Sequence, residues 1–345
     1  MAPLAAGDVE RRCEEIPGQE ETSSGLAPPK ITLERTSNIK RSLIFIAAYL
    51  ALETGKQLSN YGLSLSNDGQ YPVSPCLIVV FTEACKLHAV LAWSQITGQS
   101  LLECRPSWKF CIPAACYFVT NLLYLHALNY VSPPLWMILL QIRTLYTAAA
   151  YKFLFGREVR WLQVGGCVLV VGSIPLARLS ALQEGRTPVT TLVILISQAT
   201  AVLSTVASIA VEFLLKNDNR SFCEQQIWLY TAGSIMAIAA LPLQLDAASF
   251  IEQLKSLSSC DPKVILLVAA VLLSAFSGLT VPLIVKNLDS IVKDYLAALN
   301  NVALGALTAI LFPMQFSFSW PYVLSLAMLL AGIFLYENKS LCKGS

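Results

Sequence analysis

Apolar side chains fill most of this chain in blocks long enough to cross a bilayer. A hydrocarbon core of about 30 Å takes about 20 helical residues. Blocks of that length fall at about 42–63, 74–96, 109–128, 133–155, 161–179, 189–215, 225–245, 263–286, 293–312 and 318–336. The separators carry turn chemistry: Asn67-Asp68-Gly69, Pro106, Pro133-Pro134, Gly156, Pro188, Asn217-Asp218-Asn219 and Pro262. The pattern predicts an all-α polytopic membrane protein of about ten transmembrane helices. Ser132-Pro133-Pro134 leaves almost no loop between the third and fourth blocks, so those two helices meet in a tight re-entry.

Composition agrees. The 345 residues are 55% hydrophobic and 13% charged, against roughly 25% charged in a soluble chain. Mean hydropathy is +0.59. A net charge of +2 without a basic cluster gives no reason to expect a nucleic-acid partner. Ten scattered cysteines with no C-x-x-C, and only two histidines, make a zinc or haem site unexpected. No H-E-x-x-H, G-x-S-x-G or P-loop occurs, so the chain reads as neither an enzyme nor a cofactor carrier. Residues 1–41 hold seven acids and six bases among Pro, Gly and Ser. Such a segment cannot bury a core and reads as a disordered tail. The first apolar block follows Arg41 and reads as a retained span rather than a cleaved signal. Residues 337–345 form a short C-terminal tail.

Lys and Arg set the orientation. With the N-terminus in the cytosol, the inside loops hold nine: Arg105, Lys109, Lys152, Arg157, Arg160, Lys216, Arg220, Lys286 and Lys293. The outside loops hold four: Arg178, Arg186, Lys255 and Lys263. Ten spans place both termini in the cytosol, and the sequons at Asn219 and Asn338 then stay unglycosylated. Residues 128–155 and 286–312 share a layout: a polar turn, a helix carrying Thr-Ala, then an apolar end. Repeats at about 42–179 and 189–336, five spans each, would be inverted relative to one another, as in secondary transporters.

Charge at bilayer depth costs about 2.5–3.5 kcal/mol per group on insertion scales, so its retention needs a reason. Glu53 and Lys56 lie three apart in the first span, and Glu83 and Lys86 three apart in the second. Residues at i and i+3 share a helix face. Each pair therefore neutralises itself, as packing glue or as part of a cavity. Arg143 is at the eleventh position of the fourth span with no acid on its own face; Gln141, Thr144 and Thr147 are its nearest polar neighbours. Its partner is Glu83, Glu212 or a ligand, and its planar fork suits phosphate or carboxylate. Lys286, Asp289 and Lys293 fall on one stripe if that segment is helical, as a pathway mouth or as a snorkelling interfacial cluster. Tyr117, Asn121, Gln141 and Ser204 add polar lining, which suggests an anionic solute that crosses. Small residues at Ser204, Ala207, Ser208, Gly305 and Ala309 allow close helix contacts.

At these positions the chain resembles the nucleotide-sugar transporters of the drug/metabolite transporter superfamily, in the branch of CMP-sialic acid, UDP-galactose and UDP-N-acetylglucosamine carriers. "TEACKL" (82–87) is similar to Thr-Glu-x-x-Lys-Leu, and "IPAACYFVTN" (112–121) to Pro-x-x-x-Tyr-x-x-x-Asn-Asn. "LQIRTLYTA" (140–148) is similar to Tyr-Gln-Leu-Lys-Ile-x-x-Thr-Ala. "STVASIAVEFLLK" (204–216) and "VKNLDSIVK" (285–293) match the sixth- and eighth-helix patterns in order. The resemblance implies exchange of a cytosolic nucleotide sugar for a lumenal nucleoside monophosphate, in Golgi or endoplasmic reticulum membranes, by a protein that can form a homodimer. It implies that Arg143 and Lys286 stand where family lysines meet phosphate, and that Tyr117 and Asn121 line the nucleotide pocket. Gln141 and Ser204 join the binding set, and Glu83, Lys86, Glu212, Asp289 and Lys293 are read as cavity and gating charges.

The chain departs from the family at Leu122, Trp136, Leu140, Thr205, Ala210 and Thr280, where family patterns carry other side chains, several of them polar. Losing a polar partner alters specificity strongly. Two alternatives therefore stand beside the nucleotide-sugar reading. One is a carrier of another organic anion or a sugar phosphate. The other is a non-transporting scaffold or regulator of the Golgi glycosylation machinery.

Overall fold

The computed structural model describes residues 30–98, 107–155, 161–183, 191–258, 261–287 and 290–337. Their secondary structure is helical: α1 (Lys30–Leu65), α2 (Pro75–Ile96), a 3₁₀ turn at Trp108–Phe110, α3 (Cys111–Leu128), α4 (Pro133–Leu140), α5 (Arg143–Phe155) and α6 (Trp161–Gln183) come first. They are followed by α7 (Thr191–Asn217), α8 (Phe222–Gln244), α9 (Ala247–Ser256), α10 (Pro262–Asn287), α11 (Ser290–Leu311) and α12 (Trp320–Glu337). Among the described residues five helical stretches are long and apolar enough to cross a membrane: Pro75–Ile96, Trp108–Leu128, Thr191–Leu215, Phe222–Gln244 and Pro262–Leu283. Shorter apolar stretches occur at Trp161–Ala177, Leu299–Leu311 and Trp320–Leu335. The chain is a multi-pass membrane protein.

Helix boundaries follow local chemistry. The Ser221 side chain accepts from the Glu224 backbone N–H at 3.2 Å and caps α8. Ser132 is extended, as the residue before proline must be, and Pro133-Pro134 open α4 where their missing N–H groups cost nothing. The tight re-entry between α3 and α4 is therefore present. Most of the N-terminal tail lies outside the described residues; helix α1 begins at Lys30, ahead of the start expected at 42.

One expectation is corrected, one falls on residues not described, and one helix is new. The fourth block is two helices, not one, because the chain tightens at Gln141-Ile142. The segment between α10 and α11, with Asp289, and the side chains of Lys286 and Lys293 lie outside the described residues, and with them the Lys286, Asp289 and Lys293 stripe. The short helix α9 follows α8 without having been foreseen. Asp246 caps it by accepting from Ser249 N–H at 3.3 Å, and Phe250, Ile251, Leu254 and Leu257 recur on one face. At ten residues it escapes a count of spans.

Between helices in lipid, close packing of small residues supplies what hydrophobic burial supplies in water. α6 runs along α12 with no room to spare: a Cβ on Gly332 would stand 2.7 Å from the Gly166 carbonyl oxygen, and one on Gly172 2.9 Å from the Met328 methyl. Gly305 of α11 meets the Tyr322 ring of α12 in the same way. Trp136, Ile138 and Leu139 bury α4 against α6, α7 and α12. α2 packs on α8, α10 and α3, and α3 packs on α7 and α8. Together with α1 and α5 these helices enclose a central cavity.

Candidate functional site

The break between α4 and α5 decides where Arg143 stands. The backbone N–H groups of Gln141, Thr144 and Leu145 donate to Ile138, Gln141 and Ile142 carbonyls, at 3.1, 3.0 and 2.9 Å. These are i to i−3 bonds, the tightened 3₁₀ geometry that marks hinges within longer helices. α5 begins again at Arg143, which is half-buried. Thr205 of α7 approaches the Arg143 carbonyl at 3.5 Å, and Tyr146 of α5 donates to Gln198 of α7 at 2.7 Å. The arginine thus sits in the first turn of α5, whose Thr144, Leu145 and Tyr146 N–H groups are already taken by the Gln141 and Ile142 carbonyls.

It faces a cavity of about 300 Å³. Tyr117 and Asn121 of α3, Glu83 and Lys86 of α2, and Ser204 and Glu212 of α7 line the same cavity. Sequence reading brought all seven to one place. Tyr117 interacts with Ser208 and lies in the field of the Arg143 charge. Gln141 is corrected: it is buried, 3% exposed, and outside the lining. The side chains of Lys286 and Lys293, and Asp289 altogether, lie outside the described residues. Among the described residues no carboxylate pairs with Arg143; Glu83 is already engaged by Lys86.

Four of the other cavity charges neutralise one another in two pairs. Lys56 Nζ meets Glu53 at 2.7 Å and Lys86 Nζ meets Glu83 at 2.6 Å, each across one helical turn. Ser277 of α10 donates to Glu53, as does Gln57 Nε2 at 3.2 Å. Asn121 Nδ2 reaches Glu83 at 3.5 Å. Each ammonium also stands over a tyrosine ring, Lys56 at 5.7 Å from the centroid of Tyr124 and Lys86 at 5.6 Å from that of Tyr230.

Two glycines missed in the sequence make room for the second pair. A Cβ on Gly278 would stand 2.6 Å from Lys86 Cε, and one on Gly233 3.1 Å from Glu83 Oε2. Their only sequence signal is glycine inside an otherwise bulky span, which marks close approach without saying of what. Gln57 and Asn60, each 1% exposed, also line the cavity unforeseen. Gln57 lies four residues after Glu53 and Asn60 four after Lys56, and that spacing was the available signal. Among the described residues no group of His, Cys, Asp and Glu has the arrangement of a metal site. The cavity thus holds one half-buried cation, Arg143, with the Glu53–Lys56 and Glu83–Lys86 pairs and the acid Glu212 on its other walls.

Comparison with known proteins points the same way. Residues 73–337 match the family model described as nucleotide-sugar transporter. The chain is similar to CMP-sialic acid transporter 4 of Arabidopsis thaliana, 24% identical over 96% of this chain and 95% of that one. It is similar to CMP-sialic acid transporter 2 of Oryza sativa subsp. japonica, 24% identical over 89% and 88%. Probable UDP-sugar transporter protein SLC35A4 of Xenopus tropicalis is 23% identical over 78% and 83%. A crystal structure at 17% identity superposes with a TM-score of 0.59 over 87% of this chain and 99% of its own, a likeness of fold.

Proposed function

The chain belongs to the nucleotide-sugar transporter family, and from that premise we propose that it exchanges a cytosolic nucleotide sugar for a lumenal nucleoside monophosphate by alternating access. The observation that carries this reading is Arg143, at the start of α5, facing the cavity with no ion pair among the described residues. Phosphate oxygens dock on the guanidinium fork. An empty site leaves a half-buried charge uncompensated, which opposes reorientation without cargo. Exchange follows from that penalty. Lys286 contributes the second cation from the other half of the chain, and Lys293, Asp289, Glu212 and the Glu83–Lys86 pair shape the gates.

Ten spans in two inverted sets of five are the proposed architecture, with both termini in the cytosol on the loop-charge count. A Golgi or endoplasmic reticulum membrane is the proposed address, and a homodimer the proposed assembly. The names of the relatives carry cytidine and uridine nucleotides, so pyrimidine conjugates are the first substrates to try.

A thermal-shift panel on the detergent-purified full chain tests this reading, using CMP, UMP, GMP, AMP and their sugar conjugates. A ligand at 100 times its Kd stabilises by about 2.7 kcal/mol. The expected result is a response to one base, abolished in Arg143→Gln without loss of the protein's own cooperative melt. A flat panel overturns the reading and puts the scaffold alternative in its place.

A further inference from the structure

Helix α9 has more apolar surface than the protein covers. At about 100° per residue, Phe250, Gln253 and Leu257 fall on one face. That face is against the protein. Phe250 and Leu257 pack on the cluster that includes Leu63, Tyr71 and Leu77, and the Gln253 side chain accepts from the Ser74 backbone N–H at 2.9 Å. Ala247, Ile251 and Leu254 fall about a quarter turn round from it, and all three are exposed. Ile251 and Leu254 keep 51% and 40% of their surface. Opposite this stripe stand Glu252 and Ser256, exposed as well, and Lys255 lies between, on the side away from the protein.

The neighbours of α9 in sequence fix what lies against that stripe. α8 and α10 are two of the stretches long enough to cross the membrane, and α9 is joined to them by Leu245-Asp246 and by residues 257–261. A helix of ten residues rises about 15 Å, half of a hydrocarbon core, so α9 does not cross. A two-residue link spans at most about 7 Å, so α9 begins at the membrane surface where α8 ends. Apolar exposure continues into both spans. Leu243, one residue before the end of α8, is 86% exposed, and Ile265, in the first turn of α10, is 66% exposed. A helix lying in the interface turns an apolar face to the acyl chains and a polar face to water. A lysine at its edge lays its stem along apolar surface and keeps the ammonium at headgroup level. α9 has the two faces opposite one another, with the protein on the third side and Lys255 on the fourth. We propose that α9 is an interfacial helix whose stripe of Ala247, Ile251 and Leu254 lies against the acyl chains of the surrounding bilayer, with Lys255 at the level of the lipid phosphates. It thereby fastens the start of α2, through Ser74, to the membrane surface, whatever solute the cavity carries.

The test uses the full-length protein in phosphatidylcholine liposomes, with an environment-sensitive fluorescent amino acid in place of Ile251, Leu254, Glu252 or Ser256, one position at a time. Quenching by lipids brominated near the top of the acyl chain is compared with quenching by aqueous iodide. The expected result at Ile251 and Leu254 is loss of emission to the brominated lipid and none to iodide, with the reverse at Glu252 and Ser256. The apolar face of an interfacial helix sits about 5–10 Å into the boundary of headgroups and acyl chains, so bromines at the chain end quench less than those near the top. Iodide quenching as strong at Ile251 and Leu254 as at Glu252 and Ser256 overturns the proposal, because the helix then stands clear of the membrane. Protection of Ile251 and Leu254 from both quenchers also overturns it, since protein, such as a second copy of the chain, then covers the stripe. Where a labelled chain loses its cooperative melt, the unsubstituted chain gives an independent reading. A phospholipid with a photoactivated diazirine high on its acyl chain should cross-link to Ile251 or Leu254. Attachment to α8 and α10 without attachment to α9 overturns the interfacial position.

Discussion

The two ion pairs of the cavity share a spacing, a chemistry and a tyrosine ring over the ammonium, yet they occupy different environments. Lys56 and Glu53 keep 23% and 12% of their side-chain surface exposed, and Glu53 has two further donors in Ser277 and Gln57. Lys86 and Glu83 keep 9% and 6%, wedged between Gly278 and Gly233 of two other helices. The first pair belongs to a wall that solvent or ligand reaches. The second also lines the cavity but lies deeper, packed between α2, α8 and α10, with Asn121 as a further donor to Glu83. The spacing of i and i+3 makes the bond; what lies across from it decides whether the bond is replaceable.

The largest expected effect removes one member of the deeper pair. Lys86→Met leaves Glu83 charged and enclosed, and breaking a buried pair in this way costs about 3–5 kcal/mol. Loss of the cooperative melt or of folded yield in detergent is the readout, and a variant as stable as wild type would show that Glu83 does not depend on Lys86. Gly278→Ala comes next. Its methyl would lie 2.6 Å from a lysine carbon that Glu83 pins in place, so overpacking costs about 1–3 kcal/mol. Lys56→Met should cost less than Lys86→Met, because Glu53 retains Ser277 and Gln57 as donors. If Lys56→Met proves as damaging as Lys86→Met, the contrast between the walls is lost.

The smallest effect concerns an acid outside the spans. Asp246 caps α9, and its hydrogen bonds with Ser249 hold the carboxyl below its ordinary value. A depressed carboxylate contributes stability above its unfolded value and loses it as pH falls through the folded one. Amide exchange in α9, corrected for intrinsic rate, should therefore quicken only in acid below the usual carboxylate range. Asp246→Asn, which keeps a capping oxygen but cannot titrate, should remove that dependence.

Some of this was legible in local chemistry. The helix ends at Ser221 and at Pro133-Pro134 are written in residues that touch only their neighbours in sequence. Arg143 declared itself because no acid shared its face and the cost of its charge required an external partner. Gln141, two residues away, reads as equally polar and equally placed, but it faces the protein instead of the cavity. The helix tightens between the two, and a hydropathy block cannot register a change of phase inside itself. Gly233 and Gly278 read as ordinary small residues until the Glu83–Lys86 pair is seen lying across them.

Sequence alone shows that the chain crosses a membrane many times, that two acid–base pairs lie within one helical turn, and that Arg143 shares no helix face with an acid. Those properties follow from side-chain transfer energies and helical periodicity, which act over a few residues. Only the packing of the helices shows which polar groups meet and which pair lies deeper. Those facts depend on contacts between helices far apart in the chain, where a few tenths of an ångström separate a fitting glycine from a clash.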